Sequence, residues 1–346
     1  MTAGGAKPPL AAIFGCAGVR LEASERAFFR DADPAGFILF ARNVESPSQV
    51  RALVEELRGS AGRADALVLI DQEGGRVARL RPPQWRAAPA AGFFGTLAGR
   101  DMERGRRAAW LNARLFAADL AALGISVDCL PVLDLRYPGA NDIVGDRSYG
   151  ADIDTVSVLG RAVCEGLMTG GVLPVLKHIP GHGRAMADSH RQLPVVAVDR
   201  EALEASDFEP FRRLARMPLA MTAHIVYEAV DPDRPATTSA AVIGEVIRGS
   251  IGFDGLLMTD DLSMKALGGA FSDRTAAALA AGCDVVLHCN GNRKEMDLVA
   301  AAARPLDERA ERRYLGAVAE IRAPESLDRH AAVAELASLM GQDEGV

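Results

Sequence analysis

Cysteine is scarce and poorly placed for structural work in this chain of 346 residues. Cys16, Cys129, Cys164, Cys283 and Cys289 make an odd set of 5, with long spacings and no CxxC pair. That pattern excludes a disulfide framework or a zinc ribbon and fits buried free thiols in a reducing compartment. A basic excess is missing as well: 39 Lys and Arg stand against 46 Asp and Glu, a formal charge of −7. Nucleic-acid binders show the opposite balance. The local Arg runs, at Arg100, Arg104, Arg106 and Arg107 and at Arg309, Arg312 and Arg313, are interleaved with acids and read as solvated helix surface. No apolar run approaches the roughly 20 residues of a membrane span. The start, MTAGGAKPPLAAIFGCAG, has one Lys and is broken by Pro8, Pro9 and glycines, which makes it a poor signal peptide. The expectation is a cytoplasmic protein with neither nucleic-acid nor membrane partners.

What the chain does hold is ordinary globular material, 49% hydrophobic and 25% charged. Eight short apolar runs recur along it: Ala11–Cys16, Gly36–Phe40, Ala66–Asp71, Ser126–Leu133, Gly171–Lys177, Leu219–His224, Gly255–Asp260 and Asp284–Cys289. Near-continuous apolar runs are the mark of parallel strands buried on both faces. Between them lie helical stretches with start and stop signals. Pro47–Leu57 follows Ser46, Asp101–Leu123 closes on Gly124, Asp154–Gly166 repeats the theme, and Thr275–Ala281 precedes Gly282. Eight strand–helix repeats predict an α/β fold, a (β/α)8 TIM-type barrel. A doubly wound sheet is the alternative, but no GxGxxG opens a helix. With no interdomain linker in view, residues 1–346 are expected to form a single domain, ending in a short helix and tail from about 323. The insert Gln72–Gly99 is expected to be an active-site loop.

Chemistry in such a barrel sits at the C-terminal mouth, so polar residues closing the apolar runs are candidates. They are Asp71-Gln72-Glu73, Asp134, Lys177-His178, His224, Asp260-Asp261 and His288. The densest stretch runs Lys177-His178-Ile179-Pro180-Gly181-His182-Gly183 and then Asp188-Ser189-His190. Its His spacing lacks the helical regularity of a zinc site, so no metal is expected. Gly181, Gly183, Ala185 and Ala187 offer few anchors, which predicts a mobile loop. A carboxylate two residues from an imidazole can accept its ring N–H and raise its basicity, which suits Asp188 and His190 to acid/base work. Asp188 as a plain turn cap is the competing reading. Asp260 closes an apolar run and is placed to act as a nucleophile. Asp261, starting the next turn, reads as structural.

Four motifs, in order, now carry a resemblance: Asp71-Gln72-Glu73-Gly74-Gly75-Arg76-Val77, Gly145-Asp146-Arg147-Ser148-Tyr149, Lys177–Gly183 with Asp188-Ser189-His190, and Thr259-Asp260-Asp261-Leu262-Ser263-Met264. Together they resemble the β-N-acetylhexosaminidase branch of glycoside hydrolase family 3. The resemblance implies Asp260 as the nucleophile of a covalent glycosyl-enzyme intermediate. It implies His190 as general acid/base, oriented by Asp188, in place of the second carboxylate that retaining glycosidases ordinarily use. Asp71 and Arg79 would hold the distal hydroxyls of the sugar. Arg147, Lys177 and His178 would be further ligands to the ring and its N-acetyl group, with Lys177 and Arg147 favouring ionised Asp260. The implied substrate is N-acetylglucosamine linked β-1,4 to anhydro-N-acetylmuramic acid, with or without peptide. It would be cut by a monomer without cofactor during cell-wall recycling.

Ile179 stands where the family motif carries Phe, a change of packing rather than chemistry. Three rival readings stay open. A family 3 phosphorylase would use phosphate in place of water. A metal-dependent barrel hydrolase would ligate through His178, His182, His224 and an Asp. A sugar sensor would bind without turnover.

Overall fold

In a computed structural model the chain is described over residues 7–139, 142–185, 189 and 192–341. Eight parallel strands close a barrel: β1 (Leu10–Gly15), β2 (Pro34–Leu39), β3 (Leu67–Ile70), β4 (Val127–Asp128), β5 (Leu173–Ile179), β7 (Leu219–Thr222), β10 (Leu256–Asp261) and β11 (Val285–His288). Strand neighbours follow chain order around the ring, and β1 pairs with β11 through Ala12–Val286, Ile13–Leu287 and Phe14–His288 to shut it. The expected (β/α)8 architecture is the observed one. Three short strands, β6 (Val195–Val196), β8 (Val226–Tyr227) and β9 (Asp231–Pro235), make a small separate sheet.

Local signals explain most element ends. Ser46 caps helix Pro47–Ala61 by accepting the Gln49 N–H, and Gly62 closes it in the left-handed region. Asp101 caps helix Met102–Ala122 by accepting the Arg104 N–H. The Ser126–Leu133 run, in contrast, pairs as a strand only over Val127–Asp128. Pro131 has no N–H to give, and beyond Cys129 the chain stays beside β5 through single contacts such as Leu133 N–H to the Lys177 carbonyl at 2.8 Å. The insert after β3 is more ordered than a plain loop, since it contains helix Ala91–Ala98. Helix Arg329–Leu339 lies against helix Met102–Ala122, with Arg107 gripping Glu335 and Arg104 reaching the Leu339 carbonyl. All five cysteines are free and buried. No described helix is long and apolar enough to cross a membrane.

Candidate active site

Strand ends β2, β3, β5, β7, β10 and β11 open onto a cavity of about 290 Å³ at the barrel's C-terminal mouth, near the lower end of the size range of small-ligand clefts. Asp71 enters from the end of β3, Lys177 and His178 from β5, and Asp260 and Asp261 from β10. Glu73, Arg76 and Arg79 come from the insert after β3, and Arg147 from a short turn of helix, Gly145–Arg147. The described residues expected to serve the site, Asp260, Asp71, Arg79, Arg147, Lys177 and His178, therefore line one cavity. Asp188 and His190 lie outside the described residues.

Charge on the cavity floor is organised around Lys177. Its Nζ, buried to 2% exposure, sits 2.9 Å from Asp71 Oδ1 and 2.7 Å from Glu73 Oε1. Asp71 also meets Arg79 at 3.0 Å, and Glu73 receives two hydrogen bonds from Arg147. Burial opposes each of these charges, but the partners more than offset it. Glu73 is held down to about 2 and Asp71 below the ordinary carboxylate range, while Lys177 is pushed up. Asp71, Glu73 and Asp260 balance Lys177, Arg79 and Arg147, so the floor is rich in hydrogen-bonding groups yet close to neutral. Such a surface suits an uncharged polyol better than an ion.

Asp260 is partly buried, which by itself raises its proton affinity; neighbouring His178, the Asp261 amide and Lys177 pull it lower, so the carboxylate form prevails. Arg147 was expected to help ionise it. That guanidinium instead spends its hydrogen bonds on Glu73 and the Ile143 carbonyl, and the His178 imidazole takes its place beside Asp260. Asp261, by contrast, is tied up in structure: Oδ1 accepts the N–H groups of Ser263 at 3.0 Å and Cys289 at 3.1 Å, stitching β10 to the end of β11.

Behind His178 stands Asp134. Its Oδ2 lies 2.7 Å from His178 Nδ1, and its Oδ1 accepts the backbone N–H groups of His178 at 3.1 Å and His182 at 2.7 Å. These bonds hold Asp134, despite full burial, at about 2. Tyr227 O–H donates to the Gly181 carbonyl at 2.6 Å, and Arg184 binds Asp207 at 2.6 Å while stacking 4.0 Å over Tyr137. Gly183 lies so close to strand β4's continuation that an added Cβ would meet the Leu135 carbonyl at 1.9 Å. Over residues 181–185 distant side chains supply anchors that glycine and alanine lack, while residues 186–188 and 190 of the loop expected to move lie outside the described residues. Ser189 is buried, 3.2 Å from His182 Nε2, and its carbonyl accepts the Ala266 N–H.

Not every polar strand end serves the cavity. His288 turns outward to Glu295 at 3.1 Å and packs against Phe14 and Phe271. Gln72 clamps the insert, its side-chain oxygen accepting the N–H groups of Arg79 and Leu80. His224 has both ring nitrogens engaged, by Thr237 and the Asp261 carbonyl. Among the described residues no three His, Cys, Asp or Glu side chains converge as metal ligands. Glu73, named among the polar strand ends but given no role there, proves to be a site residue that binds both Lys177 and Arg147. Its signal was its alternation with Asp71, which puts both carboxylates on one face of an extended segment.

Comparison with known proteins points one way. Residues 12–315 match the model of the glycosyl hydrolase family 3 N terminal domain. A β-hexosaminidase of Alkalilimnicola ehrlichii is 42% identical over 282 residues, covering 80% of each chain. The crystal structure of native NagZ from Neisseria gonorrhoeae superposes with a TM-score of 0.86 at 32% identity, covering 96% of this chain and 98% of that one. The same enzyme in complex with N-trifluoroacetyl-D-glucosamine gives 0.86 at 31% identity, over 96% and 99% of the two chains.

Proposed function

Since the chain belongs to glycosyl hydrolase family 3 and is a hydrolase of the β-hexosaminidase type, we propose that it removes non-reducing terminal N-acetylglucosamine from muropeptides, with retention of configuration, in cytoplasmic cell-wall recycling. The observation that carries this reading is the placement of an ionised Asp260 in a near-neutral cavity of sugar size, facing Asp71, Lys177, Arg79 and Arg147. Asp71 and Arg79 hold the distal hydroxyls; Arg147, Lys177 and His178 hold the ring and its N-acetyl group. Asp260 attacks the anomeric carbon as the glycosidic C–O bond breaks, and His190, oriented by Asp188, gives its proton to the leaving oxygen. Water, surrendering a proton to the now basic His190, then attacks the same carbon and releases the Asp260 carboxylate. Two displacements at one carbon give net retention. The substrate is a small glycoside, the chain acts as a monomer, and no cofactor takes part.

Hydrolysis of p-nitrophenyl N-acetyl-β-glucosaminide by the wild type and by Asp260→Ala, with EDTA and with phosphate as controls, tests this. The expected result is metal- and phosphate-independent release of nitrophenol, cut on the order of a thousandfold or more by the substitution, equivalent to at least ~4 kcal/mol of barrier. A requirement for phosphate would make the enzyme a phosphorylase. Activity surviving Asp260→Ala would remove it as nucleophile. Release of free N-acetylglucosamine from anhydro-muropeptides, with and without peptide, checks the substrate.

A further inference from the structure

The ladder between β10 and β11 slips between Met258 and Asp261, the stretch that contains Asp260. Irregularities of this kind re-aim side chains and release backbone groups from the sheet. Here the released groups find specific partners. The Asp261 N–H donates to Asp260 Oδ1 at 2.8 Å. The Asp261 carbonyl accepts from Met264 N–H at 3.1 Å and lies 3.1 Å from His224 Nε2.

That last contact settles where the His224 proton sits. A carbonyl oxygen can only accept, so Nε2 must carry the hydrogen. His224 is fully buried, and burial pushes its proton affinity down in spite of nearby Asp260 and Asp261, so the ring is neutral and Nδ1 must be an acceptor. Thr237 Oγ1, 2.7 Å away, is the donor. Its single proton goes there rather than to the Ala223 carbonyl at 3.1 Å, and Thr222 O–H, 2.8 Å from Thr237 Oγ1, completes the chain. The direction of every bond follows: Thr222 to Thr237, Thr237 to His224, His224 to the Asp261 carbonyl.

We infer that His224 is a positioning residue for the nucleophile, locked as the Nε2–H tautomer by Thr237, and that Oδ2 of Asp260 is the attacking atom. The inference rests on Asp260 as nucleophile. Among the described residues Oδ1 is engaged by the Asp261 N–H, which keeps the carboxylate oriented, and Oδ2 carries no hydrogen bond and forms the bond to the anomeric carbon. His224 and the Met264 N–H both hold the carbonyl of Asp261, the residue whose N–H grips Oδ1, so fixing Asp261 fixes the angle at which the Asp260 carboxylate enters the cavity. His224 does not touch the sugar and donates no proton during the reaction.

Two measurements test it. The first is the tautomer of His224 in the wild type, from long-range proton–nitrogen NMR spectra of imidazole-labelled protein at neutral pH, assigned with His224→Gln. The expected spectrum has a bare Nδ1 and a protonated Nε2; an Nδ1–H tautomer or an imidazolium overturns the inference. The second is kcat and KM on the p-nitrophenyl glycoside for Thr237→Val, His224→Leu and His224→Gln. Loss of one buried donor predicts a fall in kcat of about tenfold for Thr237→Val and about a hundredfold for His224→Leu, with KM within about twofold. His224→Gln, whose amide N–H can reach the same carbonyl, should recover most of that loss. Losses confined to KM, unchanged kcat in Thr237→Val and His224→Leu, or no recovery by His224→Gln overturn the inference. Asp260→Ala is run beside them. If it stays active, the nucleophile assignment has failed, which the tautomer spectrum would distinguish from a failure of the hydrogen-bond chain.

Discussion

Arg147 and Glu73 meet through two parallel hydrogen bonds, Nε to Oε2 at 2.8 Å and Nη2 to Oε1 at 2.7 Å. The fork matches the carboxylate edge to edge and leaves Lys177 to complete the Glu73 shell. Buried ion pairs of this kind add little net stability over an apolar packing, yet removing one partner strands the other. Their work here is to hold Arg147 and Lys177 in fixed places facing the cavity.

Glu73→Gln should therefore cost about 3 kcal/mol of stability, because it leaves two cations sharing one fewer carboxylate. Urea unfolding at neutral pH measures it. The same variant should change the acid branch of stability. With Glu73 held near 2 against an ordinary 4.5, its contribution is complete above about pH 4.5 and drains away as pH falls towards 2. The variant should lose part of that slope; an unchanged slope would mean that Glu73 is not paired in solution.

His182 acts in a different window. Burial and the neighbouring His178 push its imidazole down to about 4 from 6.5. An unfolded chain binds this proton more readily, so stability should fall as pH drops from about 6.5 to 4 and be unaffected above that range. Unfolding curves for the wild type and His182→Gln at pH 7, 5.5 and 4.5 check this, with the wild type showing the steeper decline.

Two glycines should respond to alanine with opposite signs. At Gly183 the new methyl would meet the Leu135 carbonyl at 1.9 Å, so Gly183→Ala must displace the Gly181–Gly183 turn, lowering both Tm and kcat. Gly59, inside helix Pro47–Ala61, has nothing within 4 Å of an added Cβ. Gly59→Ala should raise stability by about 0.5–1 kcal/mol and leave activity alone. Thermal unfolding of the two variants in parallel decides it.

All eight strands were legible because parallel strands buried on both faces are written as uninterrupted apolar runs, and Ser46, Gly62 and Asp101 announce their own helix ends. Helix Ala91–Ala98 was not legible. Its sequence, AGFFGTLA, carries two glycines and no capping side chain, and tertiary packing makes it helical: Gly95 lies directly against the Tyr149 carbonyl. At the site, Asp71, Lys177, His178 and Asp260 could be read from their place at strand ends. Asp134 was visible as a polar strand end, but its bond to His178 joins residues far apart in the chain and has no local signature. Thr237 gave no signal, since a threonine in a polar turn is unremarkable until a buried imidazole lies beside it.

The seam between β1 and β11 sets a condition on synthesis. Phe14 must wait for His288 before the ring can close, and Asp71 on the third strand shares a cavity with Asp260 on the seventh barrel strand. Contacts this distant in sequence form late and slowly. A nascent chain halted before Val285 would carry Asp260 and most of the sugar-facing side chains but no closed wall to hold them in register. Catalytic competence thus arrives all at once, when the eighth barrel strand joins the first, and no nascent fragment halted short of it should cleave a glycoside.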